Sequence, residues 1–140
     1  MRILVSWLRD FVDVTVPVKD LAWDLNLCGF EVASLEPIPA AGGPEDAVLD
    51  FEITANRPDC LSVLGIAREA ATRYRLPLKA PAAPPLRGSE DALDGLTVTI
   101  EDAQACPRYT AAIADVQVAP SPPWLARRLE AAGVRPINNV

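Results

Sequence analysis

The stretch Val48–Leu78, VLDFEITANRPDCLSVLGIAREAATRYRLPL, decides how the rest of the chain is read. Leu49, Phe51 and Ile53 alternate with Asp50, Glu52 and Thr54. This is the period-two pattern of a strand over 49–54 with one apolar and one wet face. The corner Asn56-Arg57-Pro58-Asp59 follows. Asn tolerates a left-handed backbone, Pro fixes its own φ, and Asp accepts the first free N–H groups of a helix. Leu61, Leu64, Ala67, Ala71 and Tyr74 then recur at helical spacing, which predicts a helix over 60–75 that Leu76-Pro77 ends.

Upstream, Arg2–Val5 reads as a short strand, and Ser6 as the cap of a helix over 7–12. Pro17 suits the first position of a second helix over 18–28, striped by Leu21, Leu25 and Cys28, with Gly29 as its left-handed stop. Glu31–Pro37 reads as a strand with Val32 and Leu35 facing inward, and the Pro-, Ala- and Gly-rich segment 38–47 as a loop. The order is therefore β-α-α-β, loop, β-α: a small sheet with helices on one face, an α+β domain over 1–81.

Residues 82–95 are rich in proline and read as a linker. Beyond it, LTVTI (96–100) and Arg108–Val118 read as strands, the second with a bulge near 114–115. Ser121 and Pro122 mark the start of a helix that runs to Ala132, striped by Leu125, Leu129 and Ala132 and capped by Gly133. Val134–Val140 reads as extended, so 96–140 is the start of a mixed β/α unit cut short, and the chain reads as part of something longer.

Composition narrows the chemistry. The 140 residues carry a net charge of −6, three cysteines and no histidine. An acidic balance opposes unspecific nucleic-acid binding. Without histidine, the commonest general base is missing and neither a zinc site nor a disulfide framework is expected. No apolar run approaches the roughly 20 residues of a membrane span. No phosphate-cradling glycine motif occurs. Glu101 and Asp102 are adjacent, so their side chains diverge, and Cys60 has no histidine to activate it. No catalytic residue and no metal ligand is assigned. The candidate residues are the corner Asn56, Arg57, Pro58 and Asp59, and two basic groups, Arg68, Arg73 and Arg75 on the central helix and Arg127, Arg128 and Arg135 near the end.

Three separated segments resemble one family in its own order. NRPDCLSVLGIARE (56–69), MRILVSWLRDFVDV (1–14) with LCGFEVASLE (27–36), and VTIEDAQACPRYTAAIADVQVAPSPPWLARRLEAAGVRPINNV (98–140) are similar to the β subunit of bacterial-type phenylalanyl-tRNA synthetase. The resemblance implies a winged-helix-like N-terminal module, then the opening of a module that hydrolyses tyrosine wrongly attached to the phenylalanine tRNA. It implies a cytoplasmic α2β2 enzyme whose ATP and Mg²⁺ belong to the α subunit, with tRNA as substrate and no cofactor in this portion. Many relatives insert an OB-fold tRNA-binding domain where this chain has only 38–47. Arg135, Asn138 and Asn139 match positions leading to the edge of the editing pocket, whose histidine motif is not here. The expected role is structural, with no activity of its own. A free-standing nucleic-acid-binding module using Arg68, Arg73 and Arg75, and a free-standing editing hydrolase, are the competing readings.

Overall fold

The computed structural model describes residues 1–39, 45–79, 97–111 and 115–140. The expected linker 82–95 and half of the 38–47 loop lie outside these residues.

The architecture is α+β, as the sequence predicts. Strand β1 (Arg2–Leu4) runs directly into a one-turn helix α1 (Val5–Leu8), and α2 spans Val18–Leu27. Strands β2 (Glu31–Ile38) and β3 (Asp46–Glu52) follow, then a 3-10 turn Pro58–Cys60, α3 (Val63–Tyr74) and α4 (Pro123–Ala131). The sheet is antiparallel in the order β1-β3-β2, so the strand foreseen in the opening stretch lies at its centre. Its register pairs Ile3 with Leu49 and Leu35 with Leu49 on the other side. A shift between Val32 and Ser34 puts Val32 and Leu35, three apart, both half-buried against the core.

Side-chain alternation gives the sheet two faces. On one, Ile3, Leu49 and Phe51 join Leu8 of α1, Leu21 and Leu25 of α2, and Ile66, Ala67 and Ala70 of α3 in a single core. Burying each large side chain there contributes about 1.5–3 kcal/mol. On the other, Leu4 and Val48 meet Ala131 of α4, flanked by Trp7 and Ile38. The face of β3 read as wet is therefore partly covered, and β3 begins earlier, at Asp46.

Several boundaries differ for identifiable reasons. Helix α1 begins at Val5, and Ser6 lies inside it rather than capping it; the Ser6 N–H donates instead to the carboxylate of Asp46, at 2.9 Å. Helix α3 begins at Val63, not 60, because Ser62 is its cap, with Oγ accepting from the Gly65 N–H at 3.0 Å. The buried face is consequently Gly65, Ile66, Ala67, Ala70 and Ala71, while Leu61 is 61% exposed. Cys28 is exposed and lies past the end of α2, where Gly29 takes the left-handed conformation expected of it (φ +91°). Pro122 is the cap and Pro123 the first residue of α4.

The strands expected at 96–100 and 108–118 do not form among the described residues. Alternating side chains do not make a strand without a neighbouring backbone to pair with. Val98, Tyr109, Val116 and Val118 are correspondingly exposed.

Candidate functional site

The corner is built around one guanidinium. Arg57 precedes the 3-10 turn that Pro58 starts. Its Nε and Nη2 donate to the two carboxylate oxygens of Asp59 at 3.1 and 2.9 Å. The same Nη2 donates to Glu69 on α3 at 2.6 Å and to the Cys60 sulfur at 3.2 Å. The guanidinium lies 5.0 Å from the centre of the Phe30 ring, just past α2. Bidentate charge-assisted pairs of this kind are the more directional ones.

The electrostatics follow from these contacts. The Arg57 hydrogen bond holds the Asp59 carboxyl at about 2, below its ordinary 3.8. Asp59 and Glu69 in turn push Arg57 up. Burial pushes the Cys60 thiol up to about 11, helped by its hydrogen bond to Asp59. A thiol held protonated is the reverse of an activated nucleophile.

Asp59, Cys60 and Glu69 come close enough to share a cation. Arg57 already fills that role with a fixed positive charge touching all three. Asp59 does not cap the following helix, as the sequence led us to expect; Ser62 does. Asn56 is exposed in the preceding turn, and its backbone is not left-handed. Among the described non-glycine residues, the left-handed one is Arg75, which ends α3 at φ 54°.

The fit between turn and helix depends on Gly65. A Cβ there would stand 2.0 Å from the Asp59 carbonyl oxygen. The turn therefore packs backbone to backbone against the first turn of α3, and only glycine leaves the room.

The central-helix arginines separate into two kinds. Arg73 donates to Asp24 on α2 at 2.9 Å, and the Tyr74 hydroxyl donates to the other oxygen of the same carboxylate at 2.7 Å. The Tyr74 bond first, and Arg73 second, lower the Asp24 pKa. Arg68 and Arg75 are exposed, with no side-chain ion pair among the described residues.

The C-terminal basic group is also drawn apart. Arg127 donates to Asp46 at 2.6 Å, and Arg128 pairs with Asp10. The Arg128 guanidinium lies 5.2 Å from the Trp7 ring centre and 5.6 Å from that of Trp124. Arg135 is exposed. Asn139 ties the end of the chain locally: its N–H donates to the Ala119 carbonyl at 3.0 Å, and its Oδ1 accepts from the Ala119 N–H at 2.8 Å. The Asn138 carbonyl accepts from the Ser121 hydroxyl.

Asp46 is the buried polar residue that sequence reading missed. Its side chain is 6% exposed. One oxygen accepts the N–H groups of Ser6 and Ala47, and the other accepts Arg127. It thus serves as a cap for α1 supplied from a distant strand. An acidic residue opening a strand right after a glycine-rich loop carries no local mark of that role.

These features define a small α+β scaffold whose charges mostly tie its own elements together. Comparison with known proteins gives it a place. No family model matches the chain. It is 38% identical to the phenylalanine–tRNA ligase beta subunit of Rhodopirellula baltica over 141 aligned positions, which take in 100% of this chain and 20% of that protein. The beta subunit of Geobacter sulfurreducens is 44% identical over 105 residues, 74% of this chain and 13% of the relative. That of a Synechococcus strain is 48% identical over 99 residues, 70% of this chain and 12% of the relative. The chain belongs to the phenylalanine–tRNA ligase beta subunit family, and it spans a fifth or less of the length of these relatives. Among the described residues, no helix is long and apolar enough to cross a membrane.

Proposed function

We propose that this chain is the N-terminal part of a phenylalanine–tRNA ligase beta subunit, of the shorter kind without the inserted OB-fold domain, and that its role is architectural. Residues 1–81 act as the helix-sheet module, 82–95 as a linker, and 96–140 as the opening of the editing-type module. The whole cytoplasmic enzyme attaches phenylalanine to its tRNA with ATP and Mg²⁺, as an α2β2 heterotetramer. This portion supports assembly with the α subunit and carries the editing module.

The observation that carries this reading is the match over the entire chain to the Rhodopirellula baltica beta subunit. The hairpin adds support for the shorter kind. Strands β2 and β3 stay paired up to Ile38 and Asp46, so only residues 39–45 join them where the longer subunits would insert a domain. The percentages also make the Geobacter relative the longer protein, and its match covers about three quarters of this chain.

Among the described residues, the candidate metal donors do not fit Mg²⁺. The one such cluster among them contains a thiol and is already charge-matched by Arg57, a poor setting for a hard divalent cation. ATP and Mg²⁺ fall to the α subunit. Arg68 and Arg75 offer positive charge to an RNA phosphate, and Arg135, Asn138 and Asn139 match, by resemblance, positions leading to the edge of the editing pocket.

A chimera tests the reading. Residues 1–140 replace the matched segment of the Rhodopirellula baltica subunit, which is co-expressed with its α subunit. The expected result is a heterotetramer that charges tRNA with phenylalanine, while the 140-residue chain alone charges none. A folded chimera that fails to assemble, or charging by the chain alone, overturns it.

A further inference from the structure

The two faces of the sheet are covered by different kinds of contact. Helices α2 and α3 bury Val18, Leu21, Ala22 and Leu25, and Gly65, Ile66, Ala67, Ala70 and Ala71. Helix α4 buries Ala131 alone, against Leu4 and Val48, and its Trp124 is 61% exposed. Apolar stabilisation scales with the area removed from water, so one buried alanine holds a helix weakly.

Polar contacts do the rest. Arg127 reaches the buried Asp46, Arg128 pairs with Asp10 while lying over Trp7 and Trp124, and Arg2 Nε donates to the Ala131 carbonyl at 3.1 Å. Arg2 is itself steadied by a two-pronged pair with Glu36. Apart from the Arg2–Glu36 pair and the Arg128–Trp124 contact within α4, these contacts join α4 to β1, β3 or the segment around α1.

We propose that α4 is a releasable strap, held over the second face of the sheet by charge and cation–π contacts, which opens while the main core stays folded. Opening uncovers Leu4, Val48, Trp7 and Ile38 without disturbing Ile3, Leu49 or Phe51 on the opposite face. Exposed ion pairs are screened over a distance of about 10 Å at 0.1 M salt and about 3 Å at 1 M, whereas a packed apolar core is not loosened by screening. Salt therefore separates the two layers. The inference rests on contacts within this chain alone and is independent of the family reading.

Native-state hydrogen exchange on the full 140-residue chain tests it, comparing amides of residues 123–131 with those of residues 63–74. Between low salt and about 1 M sodium chloride, exchange in α4 is expected to rise about tenfold or more while α3 is unchanged. Arg128→Met keeps an aliphatic stem against the two tryptophans and removes the charge. It is expected to raise α4 exchange already at low salt and to reduce its salt dependence, with α3 reporting that the core is intact. If α4 and α3 lose protection together, or if α4 responds to neither salt nor substitution, the strap is overturned.

Discussion

The carboxylate of Asp46, at the start of β3, accepts the Arg127 guanidinium of α4 at 2.6 Å and the Ser6 N–H of α1 at 2.9 Å. One buried acid thus serves two elements far away in sequence. Removing it leaves the first turn of α1 and the Ala47 N–H without an acceptor. An unsatisfied buried donor costs about 1–3 kcal/mol, and loss of a capping side chain about 1. Asp46→Ala is expected to lower unfolding free energy by about 2–3 kcal/mol in urea titrations. Asp46→Asn keeps an acceptor for Ser6 and should cost about half as much. Equal losses for the two would show that the charge, not the cap, dominates.

Gly65→Ala puts a methyl group where the Asp59 carbonyl stands, at 2.0 Å. In an open helix this change would gain up to about 1 kcal/mol from helix propensity. Here the obstacle is backbone, which cannot swing aside, and overpacking of this kind costs about 1–3 kcal/mol. The expected outcome is a net loss of up to about 2 kcal/mol, read as a lower melting temperature. A melting temperature equal to or above that of the parent would mean that the 3-10 turn moves freely.

How much of this was legible in the sequence differs element by element. Strand β3 and helix α3 were, because Leu49/Phe51 and Ala67/Ala71 obey local periods that survive into the fold. The start of α3 was not, because both Asp59 and Ser62 are good caps, and the turn at Pro58 uses up the first. The Arg57–Asp59 pairing sits within two residues and was open to foresight, while Glu69 and Phe30 join it only through tertiary packing. The docking of α4 left no trace at all. Arg127 and Arg128 read as an exposed basic group, since contacts with Asp46 and Asp10 depend on where a separate helix comes to rest. In 97–118 the opposite happened: a strand-like alternation was clear, but no strand pairs there among the described residues.

Acid should weaken the fold in a defined window. Asp59 is held at about 2 by Arg57, against an ordinary 3.8. Asp24 is lowered by Tyr74 and Arg73, and Glu36 by Arg2. A carboxylate whose pKa falls on folding stabilises the native state fully above its unfolded value and loses that contribution as pH drops through the folded value. Urea midpoints are therefore expected to be level near neutrality and to decline from about pH 4.5 down toward pH 2. Asp59→Ala should lower the midpoint at pH 7 and flatten the decline. If the variant shows the parent's pH dependence, Asp59 contributes nothing to it.

The three thiols should separate by reactivity. Cys28 is exposed at the end of α2, Cys106 is half-buried, and Cys60 is buried with its thiol pushed up to about 11. Only the thiolate attacks a disulfide reagent. At pH 8 the native chain is expected to react first at Cys28, with Cys60 modified only as fast as the corner opens. The sign of the pH effect is opposite to that of the carboxylates. A thiol whose pKa rises on folding contributes fully below its unfolded value of 9, and loses that contribution between there and about 11. Cys60→Ala should therefore blunt the alkaline loss of stability, at the cost of a small cavity beside Arg57. Release of Cys60 should accelerate in Arg57→Met, because the same guanidinium joins the turn to α3 through Glu69. Time-resolved labelling with mass mapping reads all three sites at once. Cys60 labelling as fast as Cys28 in the native chain would contradict the closed corner on which this ordering depends.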